Sequence, residues 1–363
     1  MKIVILAFED DTHTAALKWA LEHAGHSVVR WAGLSWTENC QATLSFGAET
    51  KVVLGKHTID PGDVVWIRRP NLPIHNPSVA EADKKFAETE YKWHSHSVLY
   101  MLEHLPVRCI NPYSASRVIN SKAVQLHLAS LCGLNTPASV LTNSPAAVRE
   151  FMEAPSRRAI CKAFFPHVWK VGDTEAVAVT ETFEIKAEEL PNDEVLTYAP
   201  AIYQEMIVKD SDVRMVLLGT TTYSFLVRTT INALDWRQEV GQGYATVEPV
   251  PTPPEVEAAI LAFAQKAGIE FGSFDFAVDK DGRWWFLEIN EEGQFLWLDG
   301  FNSEARIQEK FLAFLTLPKG STREAIEAAQ SNFLSWGEYL QSTEKDNIPS
   351  EEHAGVPVLS MEP

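Results

Sequence analysis

No apolar stretch in the 363 residues reaches the length of a membrane span, which excludes a helical membrane protein. The opening Met-Lys-Ile-Val-Ile-Leu-Ala-Phe-Glu-Asp-Asp turns acidic too soon for a secretory signal, so the cytoplasm is the expected compartment. Cysteine is scarce. Cys40, Cys109, Cys132 and Cys161 are widely spaced and lack any paired metal spacing, so isolated reduced thiols are expected. Positive charge is short as well: 31 Lys and Arg against 49 Asp and Glu leave a formal charge of −18. That balance argues against nonspecific nucleic-acid binding, which depends on neutralising phosphates. It admits a basic peptide partner, although dispersed acids on a solvated surface account for the excess without one. No internal repeat occurs, and no Gly-x-Gly-x-x-Gly follows the first predicted strand, so a dinucleotide fingerprint is missing. Nor is there a Ser-His-Asp order, a His-Glu-x-x-His or a Cys-His nucleophile arrangement. His94, His96 and His104 share one helical stretch and read as surface decoration.

With 45% hydrophobic and 22% charged residues, the chain reads as a soluble globular protein of two or three subdomains. Residues 2–8 form an apolar strand, 12–25 a helix stopped by Gly25, and 27–31 a second strand. This β-α-β opening implies an open α/β sheet. A strand over 64–70 ends in Arg68 and Arg69, a long helix covers 79–105, and 107–111 is a short strand. One helix is expected over 114–132, a strand over 136–141, a helix over 144–152 and a strand over 158–163 that carries Lys162. Strands follow over 201–207, 213–218 and 223–229, then a helix over 254–267. Ser321-x-x-Glu324 is a capping-box signal for a late helix to about residue 340, and the polar, acidic stretch from 342 reads as disordered.

The densest signal lies in residues 271–290, Phe-Gly-Ser-Phe-Asp-Phe-Ala-Val-Asp-Lys-Asp-Gly-Arg-Trp-Trp-Phe-Leu-Glu-Ile-Asn. Lys280-Asp-Gly282 supplies a turn between two strands. Glu288 and Asn290 are two apart and share a face, and a hairpin can bring Asp275 beside them. Three hard oxygen donors suit Mg²⁺, which takes few protein carboxylates and prefers phosphates and water for the rest. An acidic, solvated hairpin is the plain alternative. Upstream, Lys162 sits among apolar neighbours, where an ammonium is costly unless it reaches an anion or snorkels to solvent. Lys122 opens a helix after Asn120-Ser121. Ile202-Tyr-Gln-Glu-Met-Ile207 is an apolar strand interrupted by Gln204 and Glu205, and its backbone is able to read adenine if it ends in a hinge. Asp212-Val-Arg214 puts an acid and a base on one strand face, and Arg228 supplies a second guanidinium suited to phosphate or carboxylate. Structural Asp–Arg pairing is the simpler reading of those residues.

In this order the parts resemble the ATP-grasp superfamily of carboxylate–amine ligases over residues 1–317. The likeness rests on Asn120-Ser-Lys122, Gly133-Leu-Asn-Thr-Pro137, Ile160-Cys-Lys162, Tyr203-Gln-Glu-Met-Ile207, Asp212-Val-Arg214, Phe274-Asp275 and Leu287-Glu-Ile-Asn290. It implies an ATP-grasp fold with a pre-ATP-grasp α/β domain over 1–111, a central α+β subdomain over 112–200 and a C-terminal α+β subdomain over 201–317. Residues 318–363 would add a helix and an acidic tail. By this likeness Lys122 and Lys162 hold phosphates, and Gln204, Glu205, Met206 and Ile207 line the adenine hinge. Asp212 joins the nucleotide site, and Asp275, Glu288 and Asn290 carry Mg²⁺. Within the superfamily the chain looks most like the peptide-macrocyclising ligases of the microviridin and graspetide type. Val65-Trp-Ile-Arg-Arg-Pro70, Asp235-Trp-Arg237 and Asn290-Glu-Glu-Gly-Gln-Phe-Leu-Trp297 carry this finer resemblance. Two departures stand out: no glycine-rich lid follows Lys162, and the stretch after 317 has no counterpart.

The resemblance implies ATP and Mg²⁺ as cofactors and a precursor peptide, leader plus core, as partner. Asp or Glu side chains of that peptide would be activated as acyl phosphates and joined to Ser/Thr hydroxyls or Lys amines. Lys162, Arg214 and Arg228 are the expected catalytic cations, and Asp235, Arg237, Arg68 and Arg69 the expected peptide contacts. Trp236 reads equally well as a core residue. No nucleic acid or membrane is expected, and a homodimer is left open. A ligase that appends a free amino acid to a peptide or small acid is the alternative, and a catalytically silent ATP-binding scaffold a second. The tail's hydroxyls, lysine and carboxylates are groups that this chemistry joins, although a solvated terminus explains them without it.

Overall fold

The computed structural model describes residues 1–154, 158–165, 167–170, 177–179, 182–229, 236 and 243–342. At the N-terminus, Ser27–Trp31, Lys2–Ala7, Val64–Arg69 and Arg108–Ile110 lie in that order in a parallel sheet. Alternation along the first strand divides its side chains between two cores. Ile3 and Ile5 meet Ala16, Leu17, Ala20 and Leu21 of helix Thr12–His23, whereas Val4 and Leu6 meet Val98, Leu99 and Leu102 of helix Lys84–Glu103. Asp11 caps the first helix by accepting from Thr14 N at 2.9 Å. A small antiparallel sheet of Ala42–Ser45, Lys51–Leu54 and His57–Thr58 flanks this unit. Its strands are short and half polar, and the sequence gives no periodicity that marks them.

The single helix expected over 114–132 is two helices, Tyr113–Ile119 and Lys122–Leu131. Ser121 is extended between them (φ −75°, ψ 114°), and Asn120 turns its amide to Glu291 instead of continuing the spiral. Lys122 therefore stands at the start of a fresh helix. A four-stranded antiparallel sheet follows, ordered Phe183–Ile185, Ala159–Lys162, Ala201–Glu205 and Ser139–Thr142. Cys161 and Tyr203 lie in its core with Val148 and Met152 of helix Pro145–Met152, which leaves Lys162 and Gln204 on the other face.

The largest sheet is antiparallel, ordered Ala245–Val250, Thr221–Thr229, Lys209–Leu218, Phe271–Asp279 and Trp284–Asn290. One face, with Val213, Met215, Leu217, Phe274, Phe276 and Ile289, packs on Ile260 and Phe263 of helix Pro254–Ala267. The other face is split. Val216, Leu218, Phe225 and Phe271 pack with Phe311 and Leu315 of helix Ile307–Thr316 and with Ile5, Trp66 and Ile110 of the N-terminal sheet. Farther along, the same face carries Arg214, Asp275 and Glu288 in register. The late helix is also in pieces: Thr322, not Ser321, caps Arg323–Ala329, and Ser335 with Glu338 forms the capping box of Trp336–Gln341. Among the described residues no helix is long and apolar enough to cross a membrane.

Candidate active site

Strand pairing alone builds the centre of the site. Arg214 is the Cα partner of Asp275, and Asp275 is the Cα partner of Glu288, so three charged side chains stand in one row across adjacent strands. Arg214 Nη1 donates to Asp275 Oδ1 at 2.8 Å, with both side chains nearly buried. Lys122 Nζ donates to Glu288 Oε2 at 2.6 Å. The helix that brings Lys122 is fixed to the sheet edge by Gln125, whose amide accepts from Ile289 N at 3.1 Å and donates to Ile289 O at 3.0 Å. That exchange satisfies an edge strand that has no further strand beside it.

Asn290 lies on the same face and is the Cα partner of Ser273, whose buried hydroxyl has no hydrogen-bond partner. Among the described residues no group of three or more His, Cys, Asp or Glu side chains is arranged to hold a metal. Two carboxylates, an asparagine and an unsatisfied hydroxyl form a partial set of hard oxygen donors. Such a set fits Mg²⁺, which is held by one or two carboxylates with phosphate oxygens and water completing its shell.

The segment after Asn290 is clamped from several sides. Arg68 Nη1 donates to Glu292 O at 2.7 Å and Gly293 O at 3.3 Å, while its Nε donates to Asp11 Oδ2 at 2.7 Å. Arg69 Nε pairs with Glu292 Oε2 at 3.1 Å. Arg214 Nη2 donates to Gln294 O at 2.9 Å. His13 Nε2 accepts from Phe295 N and Leu296 N at 3.0 and 3.2 Å. Burial, then the nearby Arg68 guanidinium, hold the His13 imidazole well below its ordinary pKa, consistent with a ring that accepts. Burial is the largest influence on the Asp11 carboxyl and raises it, but the Arg68 charge, His13 and the hydrogen bonds from Arg68 and Thr14 N together outweigh it and the net direction is down. Glu291 is pushed up to about 8 by burial and then by the Glu292 charge, against hydrogen bonds from Ser116, Asn120 and Asn111.

On the central sheet, Lys162 Nζ donates to Gln204 Oε1 at 3.1 Å, and Gln204 Nε2 donates to Ser139 Oγ at 2.9 Å. Gln204 is thus buried between Lys162 and Ser139. Glu205 N donates to Ala138 O and Met206 N to Arg158 O, both at 2.8 Å. Glu205, Met206 and Ile207 border a cavity of about 560 Å³ whose opposite wall is Asp279, Arg283 and Trp285 of the last hairpin. That volume falls in the range of small-molecule sites. Asp212 pairs with Lys209 at 2.6 Å.

Arg228 does not join the cluster. Val227 is the Cα partner of Asp212, so the next residue points to the opposite face of the sheet from Asp212 and Arg214. There Arg228 meets Glu248 at 3.5 Å, with the side chains 53% and 63% exposed. Arg68, expected at a peptide, is 1% exposed and its partners are internal, whereas Arg69 stays partly open. Asp235 and Arg237 lie outside the described residues. Trp236 is buried against Trp297, with ring centroids 5.0 Å apart, which makes it a core residue. Asp11, His13, Gln125 and Ser273 carry no motif that sequence reasoning picks out; Asp11 shows only as a helix cap.

Lys162 stands on the central antiparallel sheet, the Arg214–Asp275–Glu288 row on the C-terminal one with Lys122 at the start of a helix against its edge, beside a parallel N-terminal sheet, and the chain has the ATP-grasp fold. A RiPP-associated ATP-grasp ligase from Chryseobacterium gregarium, solved with ADP and a leader and core peptide, matches with a TM-score of 0.74 and 22% identity over 89% of this chain and 99% of that one. The macrocyclase MdnC of Microcystis aeruginosa MRC, bound with precursor peptide MdnA, matches with a TM-score of 0.72 and 23% identity over 87% and 99% of the two chains. The ATP-grasp ligase PsnB, complexed with a phosphomimetic variant of its minimal precursor, Mg and ADP, gives 0.65 and 22% over 86% and 97%. No protein-family model matches the chain, and no curated protein matches it in sequence.

Proposed function

We propose that this protein is an ATP-dependent ligase of ribosomal peptide modification. It would activate Asp or Glu side chains of a precursor peptide and join them to Ser/Thr hydroxyls or Lys amines of the same peptide. The observation that carries the reading is the row Arg214–Asp275–Glu288 with Lys122 bonded to its end. Each acid of the row is matched by a cation, Arg214 on Asp275 and Lys122 on Glu288. Three of the similar solved ligases support the peptide substrate, because they hold a leader and core peptide, a precursor peptide or a minimal-precursor variant. The free thiols of Cys40, Cys109, Cys132 and Cys161 suit a reducing cytoplasm.

In this reading Glu205, Met206 and Ile207 seat adenine in the hinge cavity, with Asp212 nearby on the next strand. Lys122 and Lys162 bind phosphates, Gln204 keeps Lys162 in place, and Asp275, Glu288 and Asn290 hold Mg²⁺. When bound, the metal would neutralise charge on the transferring phosphoryl group. The γ-phosphoryl passes from ATP to the peptide carboxylate, forming an acyl phosphate and ADP. A hydroxyl or amine of the same peptide then attacks the acyl carbon, loses its proton and expels phosphate. Arg214 faces the charge that develops on the acyl phosphate and the tetrahedral oxyanion.

The test is mass spectrometry of a synthetic Thr- and Glu-rich peptide incubated with the protein and MgATP. One water should be lost per bond formed, with one ADP released for each. A gain of one residue mass would reassign the acceptor to a free amino acid. In Glu288→Gln, turnover should fall by about 10²–10³ while the fold persists. Turnover that survives in this variant would remove the metal role from the hairpin.

A further inference from the structure

We propose that Arg68 is a positioning residue for Arg214, acting through the backbone carbonyls of residues 292–294 and not through contact with the substrate. The inference rests on the ligase reading and deepens it, by giving the N-terminal domain a part in orienting the catalytic arginine.

Three consecutive carbonyls tie two arginines from different sheets. Arg68, on strand Val64–Arg69, takes Glu292 O at 2.7 Å and Gly293 O at 3.3 Å. Arg214, on strand Lys209–Leu218, takes the next one, Gln294 O, at 2.9 Å. Gln294 O also accepts from Trp297 Nε1 at 3.2 Å, so an indole reports on the same peptide group. The far ends of both arginines are fixed: Arg68 Nε on Asp11 at 2.7 Å, and Arg214 Nη1 on Asp275 at 2.8 Å. Immediately downstream, His13 accepts the amides of Phe295 and Leu296, so the segment is held on its N–H side as well. Arg68 also lies against the Trp66 ring, 5.4 Å from its centroid, which restricts the guanidinium plane. To reach a peptide, Arg68 would have to abandon a buried carboxylate and two carbonyls, a costly exchange. Its geometry instead sets where Gln294 O stands, and hence one of the two anchors of Arg214.

The experiment uses the full chain, with ¹⁵N-labelled indoles, MgATP and the synthetic Thr- and Glu-rich peptide. The Trp297 indole resonance is assigned by its loss in Trp297→Phe. In Arg68→Met it should shift, and kcat should fall about 10–100-fold, the size seen when a support behind a catalytic group is removed. KM for ATP and for peptide should stay where they are. In an Arg214→Lys background the same change should cost little more, because both substitutions loosen one anchor. Arg68→Lys carries the same measurements if Arg68→Met does not fold. A resonance that stays put, fully additive losses, or a raised peptide KM with kcat intact would each overturn the proposal; the last would mark the buried Arg68 Nη2, which has no partner, as a peptide donor. Should the unsubstituted protein form no ADP with the peptide, the ligase reading fails, and the Trp297 resonance of the unliganded protein still decides the loop contact.

Discussion

Gly293 sits where no side chain fits. A Cβ there would lie 2.4 Å from Ser273 Oγ, 2.5 Å from Ser273 Cβ and 2.9 Å from Asn290 O, none of which is the free end of a flexible chain. The requirement is for close approach, since the strand bearing Ser273 and the segment that Arg68 clamps are pressed together at this point. Gly293→Ala should therefore cost about 1–3 kcal/mol in a urea titration, the usual price of overpacking a fitted site. Turnover should fall by more than the small unfolded fraction explains, because the neighbouring carbonyl, Gln294 O, anchors Arg214. A urea midpoint and kcat both equal to those of the unsubstituted protein would show that the contact relaxes freely.

Among the elements, the last hairpin was the most legible in the sequence. Its alternation, turn and Glu-x-Asn spacing mark the two strands and the face that Glu288 and Asn290 share, but not the register: a shift between Asp275 and Phe276 is what sets Asp275 opposite Glu288. The same alternation misleads at Arg228: a strand can be recognised without knowing which residue its neighbour pairs with, and one step of parity moves a guanidinium to the other face. Gln204 illustrates a different gap, since nothing local shows that its side chain bridges Lys162 and Ser139 on the neighbouring strands. The Arg68–Asp11 pair is 57 residues apart and depends on tertiary packing that no local pattern encodes. Helix Ile307–Thr316 was likewise unmarked, because its start is held by a distant acid: Asp299 accepts from Ile307 N at 2.7 Å and Gln308 N at 2.9 Å. Burial pushes the Asp299 carboxyl up from 3.8 to about 7, outweighing those two donors. The folded state thus keeps a proton that the unfolded chain releases, so this contribution is present below about pH 4 and lost as pH rises through about 7. The stability of the unsubstituted protein relative to Asp299→Asn should fall across that window, by roughly 1–4 kcal/mol at most. Melting curves of both proteins at several pH values check it, and a pH-independent difference would show that Asp299 is ionised throughout.

At the scale of the whole molecule, the site is a product of docking. On the proposed function the nucleotide is held by the central and C-terminal sheets, while the carbonyl segment that Arg214 shares with Arg68 is held from the N-terminal sheet. The two are joined by an aromatic cluster centred on Phe311, whose ring lies 4.8 Å from Trp66, 4.9 Å from Phe271 and 4.8 Å from Phe295, centroid to centroid. Those three partners belong to the N-terminal sheet, the C-terminal sheet and the clamped segment. Phe311→Ala leaves a cavity where the three meet and should cost about 3–5 kcal/mol in a denaturant titration. The loss should be felt unequally by function. On the proposed function MgADP affinity, measured by calorimetry, depends on the hinge and the acidic row and should hold. Turnover should drop at a temperature where the variant is still folded, because the N-terminal sheet no longer presents Arg68 firmly to the 292–294 carbonyls. If ADP affinity and turnover instead decline together in step with unfolding, Phe311 contributes stability alone, and the N-terminal domain has no separate hold on the catalytic arginine.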